Sequence, residues 1–438
     1  MKINSLLILF VTSLIISAPA KAQHIRKRRV KKLFRHSEMM NGHFAGFVLY
    51  DLDKQRVVYE QNADKYFTPA SNTKLFTFYT CLRMLGDSVP ALQYVTRGDS
   101  LIFWGTGSPG TLHRELKGTR ALDVLKSATR HLYFSSGRYQ NNILGAGWAW
   151  DDYNDYYQTE INELPLYGNT VKLYNDDGRL AASPAYFNPL LKTDSTSQSV
   201  GFRVKRDLLS NAFVYPSKPV PAGYEQDVPL QTSTALTLIL LQDTLKRSIG
   251  LVHLPVPTDV KTVYDLNADT VYRHMLQPSD NFIAEQLLLV CSATKFGVMN
   301  KDSVINYAIN NLLADLPDKP IWLDGSGLSR YNLMTPRSIL QLLLKIRQQV
   351  NNDELLHSLM PIGGVVGTIK KAYQTDNGQP FVWAKTGTVS NNYNQSGYLI
   401  TRKGKHLAFS FMNNNFPQPA AKVREEVVRI MTYIHNEF

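Results

Sequence analysis

Residues 69–74 read Pro-Ala-Ser-Asn-Thr-Lys, and the run behind them places apolar residues at Leu75, Phe76, Phe78, Tyr79, Cys81, Leu82, Met84 and Leu85. That spacing predicts a helix, with Gly86 as its expected stop. A helix beginning here puts Ser71 in its first turn and Lys74 at i+3, on the same face. Burial and the positive helix N-terminus both disfavour a charged ammonium at Lys74, so a neutral amine becomes available to take the serine's proton. The same helix end favours negative charge developing beside Ser71. A serine and a lysine three apart are common residue types at fixed sites, so the pair carries chemistry only if partners exist.

Two partners follow in order. Pro278-Ser279-Asp280-Asn281 opens a second apolar helix through Phe282, Ile283, Leu287, Leu288, Leu289 and Val290. Lys385-Thr386-Gly387-Thr388 continues a strand-like Phe381-Val382-Trp383-Ala384. S-x-x-K, S-D-N and K-T-G in this order resemble the signature of penicillin-binding proteins and class A β-lactamases. The contexts here, helix start, helix start and strand, suit the roles those motifs play.

A chain of 438 residues predicts two or three domains, and 44% hydrophobic residues suffice for packed cores. Lys2, the apolar stretch from Leu6 to Ile16 and Ala20-Lys21-Ala22 read as a secretory signal spanning residues 1–22. The apolar stretch is too short to span a bilayer comfortably, and no cysteine follows the cleavage site to carry a lipid. The expectation is export to the periplasm or cell envelope without a transmembrane anchor. The net charge of +12 misleads, because residues 1–36 hold nine Lys/Arg and no acid, leaving +3 for the rest. The basic cluster Arg26–Arg35 reads as the solvated face of a first helix whose other side carries Ile25, Val30, Leu33 and Phe34. Weak contact with an anionic envelope surface is the other reading, and export argues against nucleic acid. Cys81 and Cys291 each lie ten residues beyond a motif residue, Ser71 and Asn281, among apolar neighbours. An oxidising compartment allows a disulfide, but two buried free thiols is the reading favoured. The ten histidines show no metal-ligand spacing, so neither metal nor cofactor is expected.

Taken in order, Ala45–Tyr50 and Arg56–Glu60 predict a hairpin ahead of the first motif. From Pro90 to about residue 255 the chain is rich in Tyr, Gly and Asn with short alternating runs at Leu101–Trp104, Asn169–Tyr174 and Ser199–Val204. Helical periodicity returns only at Leu236–Leu245. This predicts a mostly β insert, residues 91–255, within a catalytic domain made of 23–90 and 256–438. Gly105–Gly110 lacks the ending of a phosphate loop and reads as a turn. Ser326 lacks the glycine two residues earlier that a nucleophile elbow needs, so Asp324–Ser329 reads as a loop. Ser396–Arg402 and His406–Met412 predict a second hairpin, and Val423, Val427, Ile430, Met431 and Ile434 an amphipathic closing helix. The fold class expected is α/β (α+β), a mixed domain interrupted by an insert.

Further segments add to the three motifs: Phe67–Lys74, Gly147-Trp148-Ala149-Trp150-Asp151-Asp152, Ala284-Glu285 after S-D-N, and Asp324-Gly325-Ser326-Gly327-Leu328-Ser329-Arg330-Tyr331-Asn332. Together they resemble the D-alanyl-D-alanine carboxypeptidase/endopeptidase family, the class C low-molecular-mass penicillin-binding proteins, over nearly all of the chain behind the leader. The resemblance implies a penicillin-binding protein/serine β-lactamase-like transpeptidase fold. It implies peptidoglycan stem peptides and cross-links as substrates, and β-lactams as covalent inhibitors. Carried over by motif, Ser71 is acylated, Lys74 activates it, Ser279 relays a proton and Asn281 bonds the substrate amide. Lys385 supplies positive potential. Thr386 and Thr388, flanking Gly387, grip the terminal carboxylate. The N–H groups of Ser71 and Thr388 form the oxyanion hole.

Departures stand at Val366 and Ala372, where the family usually has Asp and Arg, which puts recognition of the peptide side chain in doubt. Asp152 reads either as the partner of the substrate's free amino group or as a loop aspartate capping local structure. A β-lactamase is the nearest rival, but no E-x-x-L-N follows Asn281, and Glu163-Leu164-Pro165-Leu166 lies before S-D-N. A catalytically silent peptidoglycan-binding scaffold would show eroded motifs, and none has eroded.

Overall fold

The computed structural model describes residues 27–196, 200–374 and 378–438. Residues 1–26, with the expected leader, Ile25 and Arg26, lie outside the described residues. Chain contacts divide the protein into two compact units. One comprises residues up to Asn72 with Leu316–Ile321 and Leu333–Phe438; the other comprises Thr73–Asp315 with Trp322–Asn332.

The first unit is built on an antiparallel five-stranded sheet. Its order across the sheet is Val382–Val389, Asn392–Ile400, His406–Asn414, Phe44–Asp51 and Arg56–Gln61. Both expected hairpins are in it. The sheet is covered on both faces, which is why Phe44–Asp51 is buried at nearly every position rather than at alternate ones. On one face the helix Ala420–Glu437 buries Val423, Val427, Ile430, Met431 and Ile434 against Phe47, Leu49, Phe409 and Phe411. Residues 27–35 are helical and add Val30 and Phe34 to the same core, with the Phe34 ring 5.1 Å from Phe47 and 5.3 Å from Phe411. Arg28, Arg29, Lys31, Lys32 and Arg35 stay exposed on its outer side, as the solvated-face reading requires. On the other face lies the helix Pro336–Val350, whose Pro336 and the Phe67 ring leave no room for a side chain at Gly46.

The second unit holds a mixed five-stranded sheet ordered Ile249–Val252, His131–Ser135, Ser100–Gly105, Ser88–Arg97 and Lys261–Asn267. Two small three-stranded sheets accompany it, one around Thr170–Asp176 and one around Phe213–Pro216. The helices Arg120–Ser127 and Thr234–Leu245 close a core running from Ala91 to Ile249. The short helix Arg120–Ser127 escapes the sequence reading, and the expected strand at 199–204 fails. Its described residues are irregular, pairing begins only at Lys205–Arg206, and residue 199 lies outside the described residues.

The two motif-bearing helices, Lys74–Met84 and Asn281–Phe296, belong to this unit. Lys74–Cys81 and Phe282–Ser292 are buried without a break, so neither helix has a solvent stripe. One detail differs from expectation. The turn carrying Ser71, Ala70–Thr73, is a 3-10 turn leading into the α-helix. The helix ends just before Gly86, as expected, with Leu85 leaving it in extended conformation (φ −106°). Cys81 and Cys291 are buried free thiols with their sulfurs 3.7 Å apart.

Among the described residues no helix is long and apolar enough to cross a membrane. In the first unit's sheet, a Cβ on Gly397 would meet the Trp383 carbonyl oxygen at 2.1 Å and the Ala384 Cα at 2.6 Å, both backbone atoms of the neighbouring strand. Gly397→Ala is therefore expected to cost about 1–3 kcal/mol through overpacking, read as a lower denaturant midpoint. An unchanged midpoint would show that the Trp383–Ala384 strand yields.

Candidate active site

Lys74 is the first residue of its α-helix, fully buried, and its neighbours explain its state. Its Nζ donates to Asn281 Oδ1 at 2.5 Å and to the Ser326 carbonyl at 2.8 Å. Desolvation lowers its pKa to about 8, with the charges of Asp280, Glu285 and Asp324 working the other way. Near neutrality the amine is still mostly protonated, but its neutral minority is far larger than that of a lysine in water.

Asn281 is aimed by the start of its own helix. Asp280 caps that helix, its carboxylate accepting from the Ile283 N–H at 2.8 Å. Ser279, just before the cap, has a left-handed backbone (φ 68°). For a non-glycine residue this costs on the order of 1 kcal/mol and is tolerated where surroundings over-determine it. Asn281 uses its other end as well, donating through Nδ2 to the Tyr157 carbonyl at 2.9 Å. This ties S-D-N to the segment holding Asp152, which lies in the 3-10 turn Trp150–Asn154. The Asp152 carboxylate faces the Tyr157 hydroxyl, and burial with Asp152 and Asp155 nearby pushes that phenol well above its usual pKa.

The loop after Asp324 forms the remaining wall around Lys74. Buried Asp324 accepts from the N–H groups of Gly327 (2.9 Å) and Ser329 (2.6 Å), from Asn332 Nδ2 (2.7 Å) and from Trp148 Nε1 (2.9 Å). Ser326 thus contributes its carbonyl to Lys74, as the loop reading allows.

The first unit gathers the other motif around the turn that carries Ser71. A Cβ at Gly387 would stand 2.4 Å from the Pro69 carbonyl oxygen and 3.0 Å from the Ser71 and Asn72 nitrogens, so only glycine lets the K-T-G strand lie this close. Polar groups of the sheet hold the turn in place. Asn414 Oδ1 accepts from the Thr68 N–H at 2.7 Å, Asn394 Nδ2 donates to the Thr68 carbonyl at 2.9 Å, and Asn72 Nδ2 donates to Ser396 Oγ at 3.0 Å. Lys385 is buried in the strand and donates to the Thr386 carbonyl at 2.8 Å. Thr386 Oγ1 donates to Thr368 Oγ1 at 2.7 Å, and Thr388 is exposed at the strand's end.

Thr368 and the asparagines of the sheet escaped the sequence reading. Nothing in a strand's alternation marks a polar residue as aimed at a distant turn. Among the described residues no three His, Cys, Asp or Glu side chains form a metal-binding group.

Comparison with known proteins decides the family. The model of the D-Ala-D-Ala carboxypeptidase 3 (S13) family matches residues 27–188 and 265–433. The chain belongs to this family of serine peptidases. D-alanyl-D-alanine carboxypeptidase DacB of Haemophilus influenzae is 22% identical over 86% of each chain. A D-alanyl-D-alanine carboxypeptidase of Actinomadura sp. is 25% identical over 89% of this chain and 81% of its own. The solved structure of H. influenzae penicillin binding protein 4 matches with a TM-score of 0.73 at 20% identity, covering 93% of this chain and 98% of that one. That protein has also been solved in complex with a β-lactam. The penicillin-binding transpeptidase-type fold is thereby established, and the chain is an enzyme of the D-alanyl-D-alanine carboxypeptidase class.

Two outcomes follow from this geometry. Because the amine is protonated below its lowered pKa and neutral above it, acylation that uses neutral Lys74 should rise with pH and level off above about 8. Stopped-flow acylation across pH 6–10 checks this, and a rate still climbing at pH 10 would contradict the lowered value. Gly387→Ala should cut acylation at least about tenfold by pushing the strand off the Ser71 turn, and full activity would show that the turn can move.

Proposed function

We propose that this is an exported serine D,D-peptidase of the periplasm or cell envelope, cleaving the D-Ala–D-Ala end of peptidoglycan stem peptides, their D-Ala–diamino-acid cross-links, or both. The observation that carries the reading is the buried Lys74 amine, held between Asn281 and the Ser326 carbonyl with its pKa lowered to about 8, one turn along the chain from Ser71. In this scheme Ser71 Oγ attacks the carbonyl carbon of the penultimate D-Ala while its proton passes to Lys74. The peptide C–N bond breaks, and the leaving amine takes a proton relayed through Ser279. Water then hydrolyses the Ser71 ester, restoring the hydroxyl and releasing the shortened stem as its carboxylate.

Asn281 bonds the substrate amide, Lys385 supplies positive potential, and Thr386 and Thr388 grip the terminal carboxylate. The N–H groups of Ser71 and Thr388 stabilise the oxyanion. Thr368, hydrogen-bonded to Thr386, joins this carboxylate grip. Asp152 meets a free amino group of the stem, and the insert at residues 91–255 shapes a second wall favouring cross-linked substrates.

β-Lactams should acylate Ser71 and leave slowly. The glutamate that most resembles a deacylating one, Glu163, has its carboxylate occupied by the N–H groups of Gly137 and Arg138 at 2.9–3.1 Å, a structural use that argues against the β-lactamase reading.

Intact-mass spectrometry with benzylpenicillin, followed over an hour, tests the scheme. A persistent adduct on Ser71 is expected, lost in Ser71→Ala and slowed at least about 10³-fold in Lys74→Ala. Release within seconds would favour a β-lactamase. No adduct, together with no D-Ala release from a pentapeptide, would favour a silent scaffold.

A further inference from the structure

We propose that Glu285 is a positioning residue for Lys74, acting through the Gly325-Ser326 backbone. This rests on the reading of Lys74 as the base. Glu285 lies one helical turn beyond Asn281 and is 2% exposed. Its carboxylate accepts from two successive backbone N–H groups, Gly325 at 3.0 Å and Ser326 at 2.7 Å. The carbonyls of the same two residues face the helix that begins at Lys74. Gly325 O accepts from Thr77 Oγ1 at 2.6 Å and Ser326 O from Lys74 Nζ at 2.8 Å.

The dipeptide is thus clamped between two helices, its N–H groups by a carboxylate and its carbonyls by a hydroxyl and an amine. Asn281 and Glu285, four residues apart on one helix, address the same amine, the first directly and the second through the loop. The close approach depends on Gly325, where a Cβ would stand 2.6 Å from the Ala284 carbonyl oxygen. A neutral residue that merely filled space would not need to be a carboxylate, which is costly to bury unless its charge is used.

Its charge bears on Lys74 as well as its shape. The charged groups facing Glu285 are Lys74 from the first helix and Asp324 from the loop, with the Tyr139 phenol also within its field. Burial and the repulsion of Asp324 raise Glu285 to about 7, while its negative charge raises Lys74 against the desolvation that lowers it. Glu285 therefore orients the amine's acceptor and, with Asp280 and Asp324, raises the pH at which the amine loses its proton.

Glu285→Gln separates these effects from folding. The amide keeps the volume, loses the charge and offers only one acceptor to two N–H groups. The expected result is benzylpenicillin acylation slowed roughly 10- to 100-fold at its plateau. Pre-acylation binding of the drug should not change, because Glu285 touches no substrate. The midpoint of the pH profile should move to lower pH, because a charge that raised Lys74 is gone. Glu285→Asp keeps the charge and shortens the reach, so its plateau should fall while its midpoint stays. If Glu285→Gln does not fold, Glu285→Asp carries the test.

Folded variants with the wild-type plateau and midpoint would overturn the proposal, as would a loss confined to binding. Lys74→Ala, assayed beside them, separates the two readings. If it acylates at the wild-type rate, the base is elsewhere and the underlying scheme fails. If it is inactive while Glu285→Gln is normal, only the role of Glu285 falls.

Discussion

The burial of one amine organises the second unit. A lysine removed from water at the start of a helix is stable only if its donors find acceptors, and here they are the Asn281 side chain and the Ser326 carbonyl. Each acceptor must then be held. Asn281 is held by the cap at Asp280 and by the Tyr157 carbonyl, and Ser326 by Glu285 and the Asp324 loop. Positions far apart in the chain are thus bound into one polar core, surrounded by helices with no solvent-facing side. Around it, three carboxylates, Asp280, Glu285 and Asp324, balance a cation that desolvation would otherwise deprotonate more fully.

The first unit solves a different problem with similar means. Its sheet is apolar where it meets the helices, yet Asn394, Ser396, Ser410 and Asn414 are all buried. Ser396 and Ser410 share a hydrogen bond of 2.9 Å across adjacent strands, and Ser396 also receives Asn72. These side chains take up the backbone and side-chain groups of the Thr68–Asn72 turn, which an apolar sheet would leave unpaired. The turn is fixed by the sheet, and Gly387 lets it sit against the K-T-G strand.

Much of this was legible in the chain. The three motifs, the hairpins and the closing helix were readable because each depends on local periodicity or on a short run of residues with one chemical use. The 3-10 form of the Ser71 turn was not, because a helix and a 3-10 turn share the same spacing over four residues. Gly86 marked the end of the helix, although the chain leaves it at Leu85 in extended form rather than through a left-handed glycine. The run at 199–204 misled because alternation without a partner strand makes no strand.

By itself the sequence determined the motif set, the helix or strand that carries each motif, and the family likeness, since these rest on neighbours along the chain. Only the tertiary structure decided what surrounds Lys74. Glu285, Ser326 and Tyr157 reach the amine or its partners from three separate segments, Asp324 braces the loop that carries Ser326, and Thr368 reaches Thr386 across 18 residues. A buried charge selects its partners by distance and geometry after the chain has folded, and spacing in the sequence does not encode that choice.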